Sequence, residues 1–185
     1  MKTNRLIVLG ISGSPRKNSN TDKMVKAVLQ GASDAGHNTE FIKLNDLDFS
    51  PCQACDYCRE KEGRKCKLSD EGSIVLDKTI ECDVLVFGSP IYMSGVSAQA
   101  KAYLDRWYSF KDAGRITKLK RDRKVIGVYA QGARDGTYHR LFESNERLFN
   151  SNNFLYLGTL VAPDYMVPEE GSSPIKKAYD MGNKL

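Results

Sequence analysis

Five short apolar runs alternate along this chain with four stretches of helical periodicity, and that order narrows the accessible folds more than any single motif does. Leu6 to Leu9 is an unbroken apolar run ended by Gly10, the pattern of a strand buried on both faces of a parallel sheet. Thr39 to Leu44, Asp83 to Phe87, Val125 to Tyr129 and Phe154 to Leu160 read as further strands. The first helix is expected from Asn20 to about Ala35, where Met24, Val25, Val28 and Leu29 recur at helical spacing and Gly36 makes the stop. Ser73 to Ile80, Ser97 to Tyr108 and Tyr138 to Phe149 follow as helices. Strand and helix in this alternation predict an α/β fold: one doubly wound, five-stranded parallel sheet covered by helices on both faces. The tail, with Pro163, Pro168 and Pro174, reads as irregular covering structure.

A length of 185 residues suits one domain spanning residues 1–185. No apolar stretch approaches the roughly 18 residues of a membrane span, so an integral membrane protein is excluded on these grounds. The net charge of +5 is concentrated between Lys111 and Lys124, too modest a bias to imply nucleic acid. Such a run is more often a solvated face, although it could also dock an acidic protein. Lys2 and Arg5 precede an apolar run that Gly10 and Ser12 break, which is not the pattern of a secretory signal. The expected compartment is therefore the cytoplasm, where clustered cysteines more often bind metal than form disulfides.

Strand one runs straight into Gly10-Ile11-Ser12-Gly13-Ser14-Pro15-Arg16-Lys17-Asn18-Ser19-Asn20-Thr21 and then into a helix. A strand, a tight glycine and serine loop and a helix N-terminus together make an anion site, because unpaired N–H groups converge there and the helix dipole favours negative charge. Ser12, Ser14, Ser19, Asn20 and Thr21 add side-chain donors, and Arg16 a charge-assisted contact. Helix capping alone would use fewer such groups. The Gly-Lys-Ser/Thr ending of a nucleotide-hydrolysing P-loop is missing, as are the spaced glycines of a dinucleotide fingerprint.

A second loop is expected at Gly88-Ser89-Pro90-Ile91-Tyr92-Met93-Ser94-Gly95, after strand three. In a doubly wound sheet of order 2-1-3-4-5, ligands lie over the switch point between strands one and three, so the two loops meet. Pro90, Ile91, Tyr92 and Met93 offer an apolar surface for a flat ring system. Gln131 and Gly132, after strand four, could reach the same ring or simply form a turn. His37 and His139 are isolated histidines with no partner motif, and surface roles are expected for both.

The connection from Asn45 to about Leu68 is longer than most loops in compact domains and holds Cys52-x2-Cys55-x2-Cys58-x7-Cys66. Four thiolates so spaced suit a [4Fe-4S] cluster; a zinc site or metal-free thiols are the alternatives. Cys82 reads as a small buried apolar residue.

Gly13-Ser14-Pro15-Arg16 with Ser19-Asn20-Thr21, the Cys52 to Cys66 motif, and Ser89-Pro90-Ile91-Tyr92 together resemble the iron-sulfur flavoproteins within the flavodoxin-like NAD(P)H-dependent FMN reductases. The resemblance covers roughly residues 5 to 160. It implies a flavodoxin-like fold, with the FMN phosphate on Ser12, Ser14, Arg16, Asn20 and Thr21, and the ring against Pro90, Ile91 and Tyr92. It also implies a [4Fe-4S] cluster on Cys52, Cys55, Cys58 and Cys66. Pro15, Ser19, Ser89, Met93, Gln131 and Gly132 complete the expected cofactor site. The implied partners are a ferredoxin-like electron donor, a small-molecule acceptor and further copies of the chain in a homodimer or homotetramer. A cluster-free NAD(P)H-dependent FMN or quinone reductase and a zinc-stabilised flavin-binding module are the competing readings.

Overall fold

Residues 5–60, 65–134, 136–163 and 173–185 are described by the computed structural model. Strands β1 (Ile7–Ser12), β2 (Asn38–Lys43), β3 (Val84–Tyr92), β4 (Gly95–Val96), β5 (Arg123–Gln131) and β6 (Phe154–Pro163) alternate with helices α1 (Asn20–Asp34), α2 (Glu71–Glu81), α3 (Ala98–Arg106), α4 (His139–Asn150) and α5 (Ser173–Asn183). The long strands form a parallel sheet of order β2-β1-β3-β5-β6, and the two-residue β4 pairs antiparallel with β3. This is the expected five-stranded doubly wound sheet of order 2-1-3-4-5, with a short hairpin added.

Alternate residues of the central strands feed two cores. Leu9, Ile11, Leu85, Phe87, Val125 and Tyr129 face one way, onto α2, α3 and α4. Val8, Val84, Val86, Ile126 and Val128 face the other, onto Met24, Val25, Val28 and Leu29 of α1 and Ala178 of α5. A strand buried on both faces needs apolar residues at successive positions, which is why these runs lack the alternation of a half-exposed sheet. No described helix is long and apolar enough to cross a membrane.

Two expectations need correction. Gly88 to Tyr92 is the second half of β3 rather than a loop. Pairing with β1 ends at Gly88, so at Ser89 and Pro90 β3 is paired with β5 alone before Ile91 and Tyr92 pair with β4, and Pro90 can sit on the open side without leaving a partner carbonyl unserved. The turn comes later, at Met93 (φ 47°) and Ser94 (φ 64°), whose paired positive φ values match the twist of a two-residue hairpin. The tail is also not wholly irregular: α5 packs along α1, with Pro174 in its first turn, where a missing N–H costs nothing. Pro168 lies outside the described residues, as do 1–4, 61–64 and 135.

Candidate functional site

The chain leaves β1 at Ser12, crosses a tight loop and enters α1 through a capping box. The Ser19 hydroxyl accepts from the Asp22 N–H at 3.0 Å, and the Asp22 carboxylate accepts from the Ser19 N–H at 3.3 Å. The N–H groups of Asn20 and Thr21 lie in the first turn, which no α-helix can satisfy from within. A cleft of about 280 Å³ opens between this turn and the carboxyl ends of β3 and β5. Ser14, Arg16, Ser19, Asn20 and Thr21 form one wall. Pro90, Ile91 and Tyr92 form the opposite wall, and Gly132 closes the end. One side is therefore rich in donors and positive charge, the other apolar and partly aromatic. That division suits a ligand with an anionic end and a flat body.

Two cations that the sequence reading passed over, Lys17 and Lys23, also line this cleft. The Thr21 hydroxyl is buried without a hydrogen-bond partner, a state costing about 1–3 kcal/mol that an incoming oxyanion would relieve. Gly88 permits the approach of β3 to α1 here, since a Cβ on it would lie 2.5 Å from Val25 Cγ2 and 2.9 Å from Thr21 Cγ2.

Not every expected residue reaches the cleft. Ser12 is fully buried beneath it, donating to Asp22 Oδ1 at 2.5 Å and accepting from the Ser14 N–H at 3.3 Å. Lys43, at the end of β2 in register with Ser12, donates to Asp22 Oδ2 at 2.7 Å and to the Arg16 carbonyl at 2.5 Å. The Ser12, Asp22 and Lys43 trio thus braces the loop from below. Ser89 is buried too, donating to the Pro90 carbonyl at 2.8 Å and accepting from the Ser97 N–H at 3.0 Å. Gln131 is buried with its Oε1 unpartnered, Met93 is completely exposed at the hairpin tip, and neither they nor Pro15 line the cleft. His37 accepts from the Leu6 N–H at 3.4 Å and His139 Nδ1 lies 2.8 Å from the Gly136 carbonyl, both outside the cleft.

Cys52, Cys55, Cys58 and Cys66 do come together, around one small cavity that Arg106 and Tyr108 also border. Ala54 and Asp56, at φ 51° and 54°, put left-handed turns between the first three cysteines, a conformation costing about 1–2 kcal/mol for a residue with a Cβ. The Ala54 N–H donates to Cys52 Sγ at 3.5 Å. Burial pushes the Cys58 thiol up; Cys66 and Cys52 push the same way, while Lys118 opposes them. Among the described residues, no three ligand-type side chains converge to hold a single ion. Zinc would draw four thiolates to about 2.3 Å from one point and a [4Fe-4S] centre would take one thiolate on each iron, and four cysteines around one cavity are the donor set of either. Cys82 stands apart in the core, its thiol pushed up to about 12 by burial, with Arg123 opposing and Asp83 adding to the shift.

The model of the NADPH-dependent FMN reductase family matches residues 6–167. An iron-sulfur flavoprotein of Methanocaldococcus jannaschii is 36% identical over 152 residues, 82% of this chain and 75% of that one. The chain belongs to the iron-sulfur flavoproteins of the NADPH-dependent FMN reductase family. A second member, from Methanosarcina thermophila, is 34% identical over 151 residues, 82% of this chain and 76% of that protein. Among solved structures, a Bacillus anthracis azoreductase superposes with a TM-score of 0.75 at 17% identity, covering 97% of this chain and all of that one. An NAD(P)H:quinone oxidoreductase from Methanothermobacter marburgensis gives 0.72 at 21% identity, covering 98% and 96%. At such identities the two structures show the shared flavodoxin-like fold alone.

Proposed function

We propose that this iron-sulfur flavoprotein is an electron-transfer protein that takes single electrons from a ferredoxin-like donor and delivers them to a small-molecule acceptor. FMN would lie in the cleft, with its phosphate on Ser14, Arg16, Asn20 and Thr21 and its ring against Pro90, Ile91 and Tyr92. A [4Fe-4S] cluster would be held by Cys52, Cys55, Cys58 and Cys66. Bound there, the flavin supplies one- and two-electron exchange and the cluster one-electron exchange. The chain's own residues bind and orient. Arg16, Lys17 and Lys23 balance phosphate charge, Ser12 and Asp22 hold the loop that presents its donors, and the Ile91 and Tyr92 wall shields the ring from water on one side. Association into a homodimer or homotetramer belongs to the same reading.

The observation that carries this proposal is the gathering of four thiols around one cavity in a chain that also builds an anion cleft at its sheet switch point. The test is iron, zinc and acid-labile sulfide per flavin in protein purified without oxygen, with the visible spectrum recorded before and after NADPH. About four irons and four sulfides per FMN are expected. The second reading, a cluster-free NAD(P)H-dependent reductase, draws support from a Bacillus subtilis relative named a putative NAD(P)H-dependent FMN-containing oxidoreductase, 27% identical over 119 residues and covering 64% of this chain and 61% of that protein. Flavin without iron, bleached promptly by NADPH, would establish that reading instead. Zinc without sulfide and without turnover would mean a zinc-stabilised module.

A further inference from the structure

Arg106, the last residue of α3, is 1% exposed. Its Nη1 donates to Asp70 Oδ1 at 2.5 Å and to the Ser50 carbonyl at 3.4 Å. Its Nη2 donates to Ser73 Oγ at 3.0 Å and to the Leu68 carbonyl at 3.4 Å. Asp70 caps α2, so part of this network is a helix brace. The two carbonyls serve another purpose. Ser50 lies two residues before Cys52 and Leu68 two residues after Cys66, so one guanidinium grips both ends of the cysteine segment. The side chain also borders the thiol cavity, and its Nε–H is buried with no hydrogen-bond partner. A buried cation needs compensating charge, and among the described residues its carboxylate partner is Asp70, itself 22% exposed. Thiolates around the cavity that Arg106 borders would add negative charge to that of Asp70 and bring acceptors to the side of the buried Nε–H.

Resting on the cluster reading above, we infer that Arg106 is a positioning residue for the iron-sulfur centre. It closes the two ends of the loop that carries the ligands, and it places a fixed positive charge and a free donor beside the thiolates. Outer partners of this kind typically change metal retention by about 10–100-fold when removed. A buried cation favours the more negative, reduced state of a cluster, so its loss moves the potential down.

The experiment uses the full chain with FMN, reconstituted anaerobically with iron and sulfide, as wild type, Arg106→Gln and Arg106→Lys. Three quantities are read: the rate of cluster loss to an iron chelator, the cluster's midpoint potential and the FMN affinity. The glutamine variant is expected to lose its cluster at least about 10-fold faster and to show a more negative potential. The lysine variant, which keeps the charge but has no fork to span both carbonyls, is expected to retain the potential and still lose its cluster faster. FMN affinity serves as the measure of folding and stays unchanged in both. Wild-type loss rate and potential in the glutamine variant would overturn the inference. If that variant fails to bind FMN, an unchanged loss rate in the lysine variant would overturn it equally. Wild-type protein that binds FMN but takes up no iron would sink the cluster reading and this inference together, so the two failures are told apart by the wild type alone.

Discussion

Thr21 and Cys82 show how one buried atom can carry a consequence for ligand binding or for stability. The Thr21 hydroxyl is buried and unpartnered beside the cleft, so replacing it with the isosteric Val removes a desolvated group from the apo protein and a donor from the ligand. Thr21→Val is therefore expected to raise apo stability by about 1 kcal/mol while weakening FMN binding about tenfold. Thermal unfolding and flavin-fluorescence titration give the two signs separately; parallel changes would mean that Thr21 does not face the flavin. Cys82 acts through pH. Its thiol rises from 9.0 to about 12 on folding, so the folded state holds the proton more tightly than the unfolded chain does. The stability this contributes is complete below pH 9 and is lost as pH rises towards 12. The difference in unfolding free energy between wild type and Cys82→Ala should accordingly narrow across that window, and a difference independent of pH would refute the assignment. Sequence spacing separated Cys82 from the four loop cysteines correctly. Arg106 and Lys43 were invisible at this level, because nothing local distinguishes a lysine at a strand end or an arginine on a helix from a solvated one.

The helices repeat the point. Pro174 masks the C-terminal helix α5 in the sequence, because a proline after Pro163 and Pro168 reads as irregular structure, although Ile175, Ala178, Met181 and Gly182 recur at helical spacing after it. It lies so close to α1 that a Cβ on Gly182 would stand 1.9 Å from the Val28 carbonyl oxygen, and one on Gly31 would stand 2.1 Å from that of Tyr179. Both obstacles are backbone atoms, which cannot rotate aside. Gly31→Ala and Gly182→Ala are each expected to cost about 1–3 kcal/mol in urea unfolding, and a neutral effect would show that the helices can separate without loss. At α2 the decisive feature is the cap. Burial alone would raise the Asp70 carboxyl, but the Arg106 hydrogen bond, the Ser50 and Ser73 N–H groups and the Arg106 charge outweigh it and hold the group below its ordinary value. The stability so gained is present above the ordinary carboxylate range and disappears as pH falls through the depressed folded value. Wild type and Asp70→Asn should therefore differ most near neutrality and converge in acid.

Across the whole molecule, the cleft and the cysteine cavity rest on different supports. The cleft is made by strand ends and a helix turn anchored in both cores, whereas the described part of the cysteine segment has short 3-10 turns tied down from outside, by Arg106 on the Ser50 and Leu68 carbonyls and by Arg59 donating to Tyr108 and to the Asp112 and Ala113 carbonyls. Metal binding in such a segment is coupled to its folding. Chelation of iron is therefore expected to open the chain to proteolysis between Asn45 and Leu68 while leaving FMN affinity within about twofold; cleavage spread across the sheet, or flavin release, would contradict this separation. The sequence by itself determined the order of strands and helices, the anion loop and the cysteine spacing, because each is written in periodicities and contacts a few residues long. The tertiary structure alone decided that Ser12 braces the cleft instead of lining it, that β3 runs on to Tyr92, and that Lys43 and Arg106 stand beneath the two sites. These outcomes depend on which strand lies beside which, and in what register, and they join residues such as Lys43 and Asp22, 21 positions apart, and Arg106 and Ser50, 56 apart, that share no local pattern.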